Sequence, residues 1–171
     1  GFLRIVRGAT DVGQYLCNHP LVETLHITGA GASHDAIVWG VGAEGQANKA
    51  ANTPKNTRAI TSELGAVCPT IVVPGPWTAA DIRFQAEHVA TQKLHNSGFN
   101  CIACQVLVMP RDWNQKTEFV AALERVITQS EARAMYYPGA KERLAGFTAS
   151  NPQARALHRV GGDDVLIAQL D

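Results

Sequence analysis

Residues 22–33 read V-E-T-L-H-I-T-G-A-G-A-S. Leu25 and Ile27 alternate with Thr24, His26 and Thr28, the period of a half-buried strand. The glycine and alanine run after Thr28 turns the chain, and residues 36–41 lead into a helix of the kind written by residues 47–51. A strand, a glycine-rich turn and a helix together present backbone N–H groups to a phosphate. Glycine turns also simply turn, so this stretch alone leaves both readings open.

The same alternation of strands and helices extends in both directions. Upstream, residues 2–6 (F-L-R-I-V) form a short apolar strand, and Asp11 precedes a short helix over residues 12–17 that stops at Asn18-His19-Pro20. Downstream, residues 53–58 are a polar loop, residues 59–64 a strand and residues 70–73 (T-I-V-V) a second, buried strand. Pro74-Gly75-Pro76 breaks the chain, and Thr78 caps the longest helix, with Asp81 three positions on in place of a capping-box glutamate. Ile82, Ala86, Val89, Ala90 and Leu94 recur on one face of it as core. It ends near Asn96-Ser97-Gly98. Residues 105–109 make a strand stopped by Pro110, and residues 117–128 an amphipathic helix with Phe119, Leu123 and Val126 inward and Glu124 and Arg125 outward. Tyr136-Tyr137-Pro138-Gly139 turns into a last helix over residues 140–147, and residues 165–170 begin a last strand. The pattern predicts an α/β fold with a largely parallel sheet flanked by helices.

Composition narrows the function classes. Fifteen basic and fifteen acidic residues cancel, with no run of either sign, so no basic stripe for nucleic acid exists. No stretch of about 18 apolar residues spans a membrane. Residues 1–8 are too short and too broken for a signal peptide, and four unevenly spaced cysteines point to reduced thiols in a cytoplasmic protein.

Two stretches carry chemistry. Residues 62–66 (S-E-L-G-A) offer one carboxylate, Glu63, before a glycine, and residues 96–104 (N-S-G-F-N-C-I-A-C) offer a thiol, Cys101. A cysteine nucleophile needs a second group to handle the water that releases its acyl intermediate, and one strand and one long helix separate the two residues. Spacing alone favours Cys101 as a core thiol and Glu63 as a solvated strand end. Cys101-x-x-Cys104 invites a dithiol or zinc reading, but no second C-x-x-C or close His pair completes a metal site. Cys17 and Cys68 read as core, the scattered histidines as surface, and Tyr136-Tyr137 as packing.

Taken together, these stretches resemble the aldehyde dehydrogenase superfamily, in the family's order along nearly the whole chain. Val6-Arg7-Gly8 is similar to its V-x-G, His19-Pro20-Leu21-Val22 to H-P-x-V, and Ile27-Thr28-Gly29-Ala30 to F-T-G-S. Glu63-Leu64-Gly65-Ala66 is similar to E-L-G-G, Pro69-Thr70-Ile71-Val72 to P-x-I-V, and Gly98-Phe99-Asn100-Cys101 to G-Q-x-C. The chain departs from the pattern at Ala30 (serine), His34 (glycine), Ala66 (glycine) and Phe99 (glutamine).

The resemblance implies oxidation of a small-molecule aldehyde substrate to a carboxylic acid with NAD or NADP as acceptor. Cys101 would be the nucleophile and Glu63 the general base. Gly29 and Ala30 would lie near the cofactor pyrophosphate, Leu64 at the nicotinamide amide, and Gly8 also at the cofactor. Residues 1–66 would form the C-terminal part of a nucleotide-binding domain, and residues 67–171 part of the catalytic domain of a truncated, homo-oligomeric fold. The family's oxyanion-hole asparagine would lie upstream and its nicotinamide-ribose glutamate downstream. Two other readings remain beside this one. A coenzyme A-acylating branch of the family generally lacks the glutamate at Glu63, and a non-catalytic α/β module would only pack on a partner.

Overall fold

The computed structural model describes residues 1–170, which fall into two units, Gly1–Gly65 and a second beginning at Ala66. In the first unit, helix α1 (Thr10–Asn18) is followed by strand β1 (Thr24–Gly29). Helices α2 (Gly31–Val38) and α3 (Gly42–Ala51) then cross over to strand β2 (Ala59–Leu64), which lies parallel to β1. Arg58 and Asn56 join the parts. The Arg58 Nε donates to the Val22 carbonyl at 2.7 Å, and its Nη2 donates to the Asn18 and His19 carbonyls at 3.1 Å each. Carbonyls at a helix end have no partner within the helix, so the guanidinium satisfies the end of α1 and holds the lead into β1. Buried Asn56 adds a bond from Nδ2 to the Cys17 carbonyl at 3.2 Å.

Two expectations for this unit need correction. Residues 2–6 form no strand: they lie exposed and unpaired, because a strand's N–H and C=O groups need a neighbouring strand and none lies beside them. The glycine run is also not a long turn, since α2 begins at Gly31. Ala30 is extended, and its carbonyl accepts from the N–H groups of Ser33 (3.0 Å) and His34 (3.1 Å), which starts the helix at once. The chain turns later, between α2 and α3. There a Cβ at Gly45 would stand 2.2 Å from the Gly40 carbonyl oxygen, so only glycine permits the approach.

In the second unit, strand β3 (Cys68–Ile71) leads to helix α4 (Ala79–Leu94), a 3₁₀ turn (His95–Gly98) and strand β4 (Cys104–Val108), parallel to β3. Helix α5 (Lys116–Gln129), helix α6 (Ala140–Ser150) and the antiparallel pair β5 (Arg155–Leu157) and β6 (Val165–Ile167) follow. Thr78 and Asp81 form the expected reciprocal cap of α4. Ile82, Ala86, Val89 and Ala90 of α4 are buried in one cluster with Phe119, Leu123 and Ile127 of α5 and Val72, and Leu94 packs against its edge. Trp77, Trp113 and Phe119 close one side edge to face, with the tryptophan rings 4.8 Å apart. Each fully buried aliphatic side chain here contributes about 1.5–3 kcal/mol.

The strand expected to be buried at residues 70–73 is half-buried instead. Val72 points into the core while Ile71 and Val73 are exposed, because β3 pairs only with β4 and its alternate residues face away from α4. The architecture is α/β, with each parallel pair closed by a helical crossover. The strands form three two-stranded sheets, two parallel and one antiparallel, in place of one continuous sheet. Among the described residues, no helix is long and apolar enough to cross a membrane.

Candidate functional site

The β1–β2 register gathers three of the candidate residues, Gly29, Glu63 and Leu64, and Ala30 follows directly. Thr28 stands opposite Glu63 and Gly29 opposite Leu64, and the Gly65 N–H donates to the Gly29 carbonyl at 3.2 Å. Both strands therefore end together, and α2 starts one residue beyond β1 with Ala30 as its N-cap. Parallel α/β sheets bind ligands outside such carboxyl ends. Glu63 is exposed and Leu64 half-buried.

The start of α2 suits an anion. The Ala30 methyl makes no capping bond, so the Gly31 and Ala32 N–H groups keep their donor capacity, while those of Ser33 and His34 are taken by the Ala30 carbonyl. A Cβ at Gly31 would meet nothing within 4 Å, so the approach is open. The acidic residue of this helix is already engaged: Lys49 donates to Asp35 at 2.6 Å, and that bond, with a smaller contribution from His34, holds the Asp35 carboxyl below its usual range. His34 leans on Asp35, Nδ1 to Oδ1 3.4 Å. These features fit the pyrophosphate of a dinucleotide. Gly8 stands apart from this group, before α1. A Cβ there would fall 2.4 Å from the Val12 side chain, so close packing already accounts for a glycine at that position.

Cys101 belongs to the second unit and is exposed on the loop between the 3₁₀ turn and β4. Three consecutive residues before it are left-handed: Asn96 at φ 51°, Ser97 at φ 56° and Gly98 at φ 78°. Asn and Gly tolerate this region and serine does so poorly, so neighbours must hold the turn. The Asn96 amide donates to Asn100 Oδ1 at 3.3 Å, Asn100 in turn reaches His95, and the Tyr136 hydroxyl donates to Asn96 Oδ1 at 3.1 Å. Phe99 stacks on Tyr137 (5.4 Å) and meets Tyr136 edge-on (5.1 Å), while the Arg143 guanidinium sits 5.8 Å over the Tyr137 ring. The tyrosine pair is thus packing, as expected, and what it packs against is the thiol loop. Among the described residues, no acceptor engages the Cys101 N–H.

Sequence reasoning passed over two groups near this loop. Cys68, read as core, is half-buried and its thiol donates to the Cys101 carbonyl at 3.2 Å. Lys93 lies on α4, where burial pushes its ammonium below the usual range against a smaller opposing effect of Cys104. Its Nζ donates to Gln105 Oε1 at 2.8 Å. Lys93 had a visible signal, because it continues the apolar stripe of Ile82, Ala86 and Val89 at the next helical position. Cys104 is buried in β4, as a structural thiol would be.

The profile of the aldehyde dehydrogenase family matches residues 1–158. No curated protein matches the chain. Among solved structures, one similar fold is the gamma-glutamyl-gamma-aminobutyraldehyde dehydrogenase of Burkholderia cenocepacia J2315, 24% identical over 88% of this chain and 30% of that one, with TM-score 0.66. A second is the NADP-dependent glyceraldehyde-3-phosphate dehydrogenase of Bacillus halodurans C-125, solved with NADP: 17% identical, 94% and 33% covered, TM-score 0.69. A third is aldehyde dehydrogenase C of Pseudomonas syringae, a mutant solved with NAD+ and octanal: 18% identical, 86% and 29% covered, TM-score 0.64. The chain spans 29–33% of the length of these three structures, and at such identities they speak for the fold. With the family profile covering all but the last thirteen residues, the chain belongs to the aldehyde dehydrogenase family.

Proposed function

We propose that the protein to which this chain contributes oxidises an aldehyde to a carboxylic acid, with Cys101 as nucleophile, Glu63 as general base and NAD or NADP as acceptor. The observation that carries the reading is an exposed cysteine on a shaped loop, at the end of the Gly98-Phe99-Asn100-Cys101 stretch that resembles the family's G-Q-x-C. Residues 1–66 serve as part of the nucleotide-binding domain and residues 67–171 as part of the catalytic domain. Gly29 and Ala30 face the pyrophosphate through the start of α2, Leu64 offers its backbone to the nicotinamide amide, and Gly8 lines the cofactor side. The solved relatives crystallised with NAD+ or NADP support this choice of cofactor. A homo-oligomer in a reducing cytoplasm fits the reading.

The Cys101 thiolate attacks the aldehyde carbonyl carbon. A C–S bond forms, the C=O pair moves to oxygen, and the free Cys101 N–H can donate to that oxyanion. To become a thioester the thiohemiacetal must lose hydride from its carbon as the C=O re-forms, and a nicotinamide dinucleotide held at the start of α2 would supply the acceptor for that hydride. Glu63 then takes a proton from water as the water attacks the thioester, and the C–S bond breaks to return Cys101 as thiolate.

Alkylation of the chain with iodoacetamide near neutral pH, mapped by mass spectrometry, is the first test. Cys101 is expected to react roughly tenfold or more ahead of Cys17, Cys68 and Cys104, as an accessible thiolate does. Equal rates at all four would remove the nucleophile. In the active protein, Glu63→Gln is expected to slow thioester hydrolysis by about 10²–10⁴ and to accumulate acyl-enzyme. Unchanged hydrolysis would remove the base, and turnover raised by coenzyme A would move the protein to the acylating branch.

A further inference from the structure

Cys68 lies at the first position of β3, where the ladder with β4 slips between Cys68 and Pro69. Proline has no N–H to give the ladder, so the backbone at Cys68 is held less tightly than in a regular strand. Its thiol points at the Cys101 carbonyl oxygen, 3.2 Å away, which sets the Cys68 sulfur against the backbone of the reactive residue itself. Cys101 is exposed on a loop and can turn its side chain about a single bond. Cys104, the C-x-x-C partner suggested by spacing, is buried, fixed in β4, and turned to the Val106 carbonyl at 3.6 Å. Cys68 also stands opposite Cys104 across the β3–β4 ladder, but Cys104 is buried where a peroxide does not reach it, so the exposed Cys101 is the thiol that is oxidised first and that must turn toward Cys68 to close the bond.

We propose that Cys68 is the resolving thiol for an oxidised Cys101, closing a reversible Cys68–Cys101 disulfide that shuts the site and shields its nucleophile. The inference rests on Cys101 being the reactive thiol. The oxidant is a hydroperoxide. The Cys101 thiolate attacks one peroxide oxygen, the O–O bond breaks, an S–O bond forms, and hydroxide or alkoxide leaves. Cys68 then attacks the sulfenic sulfur: the S–S bond forms, the S–O bond breaks, and the departing oxygen takes the Cys68 proton and leaves as water. A dithiol reductant gives up two electrons and two protons to restore both thiols. Without Cys68 the sulfenic acid is free to react with more peroxide, and the product is the irreversible sulfinic acid.

The test is peroxide treatment of the full chain, blocking of free thiols, digestion and mass spectrometry. The Cys68–Cys101 linked peptide is expected to dominate and to disappear with dithiothreitol. Cys68→Ser and Cys68→Ala are both expected to raise sulfinic acid at Cys101 by roughly tenfold, while Cys104→Ser leaves the linked peptide in place. A Cys101–Cys104 or Cys68–Cys104 link in its place, or equal overoxidation with and without Cys68, overturns the proposal. The alkylation map separates the two levels. A fast Cys101 that never pairs with Cys68 defeats only this inference, whereas a slow Cys101 defeats the nucleophile and this inference together.

Discussion

At Gly98 the backbone is left-handed, and a Cβ would stand 3.1 Å from the Lys93 carbonyl oxygen. Two constraints therefore meet at one residue, three positions before the thiol. Gly98→Ala is expected to lower stability by about 1–2 kcal/mol, read as a drop in the urea midpoint at unchanged slope. It should also change the Cys101 alkylation rate, because Asn96 and Ser97 share the same turn. A variant with wild-type midpoint would mean that the turn relaxes freely. Gly98 could be read from sequence as a helix stop, but its second task could not, since the Lys93 carbonyl reaches it only once α4 has formed. Gly8 shows the reverse case, a residue marked by motif for which the structure supplies a packing reason through Val12.

Helix α4 was the most legible element, and its cap carries the energetic argument. The Asp81 N–H donates to the Thr78 hydroxyl oxygen, while the Thr78 N–H and hydroxyl both donate to the Asp81 carboxylate. Thr78→Ala is expected to cost about 1 kcal/mol in thermal or urea unfolding. The same hydrogen bonds, the hydroxyl first and the backbone second, hold the Asp81 carboxyl below its ordinary range. A group with a depressed folded pKa contributes stability above its unfolded pKa and loses it as pH falls through the folded value. The stability gap between the wild type and Asp81→Asn should therefore be full at neutral pH and close on acidification below the ordinary carboxylate range. A gap independent of pH would show that the carboxylate charge has no part in the cap. Helix α2 was the least legible element. Its eight residues carry no apolar stripe, and it starts inside a glycine run because a strand end and an extended Ala30 deliver it there.

For the molecule as a whole, stability is expected to be uneven in a way that hydrogen exchange can read. Amides on the packed faces of α4 and α5, around Ala86 and Phe119, should be the slowest to exchange in the second unit. Residues 1–9, outside any helix or strand and exposed, should exchange within the dead time. Protection at residues 2–6 comparable to β1 would restore the strand that their composition suggested. By itself the sequence determined the order of the main elements, the α4 core face and its cap, the α/β class and the motif positions of Glu63 and Cys101. All of these depend on local periodicity, capping chemistry or spacing along the chain. Only the tertiary structure decided that residues 2–6 stay unpaired, that β3 is half-buried, that three-residue β5 finds β6, and that Cys68 lies against Cys101. Each of these depends on which segment is brought alongside another, and strand pairing and burial are properties of that neighbour, which no single segment encodes.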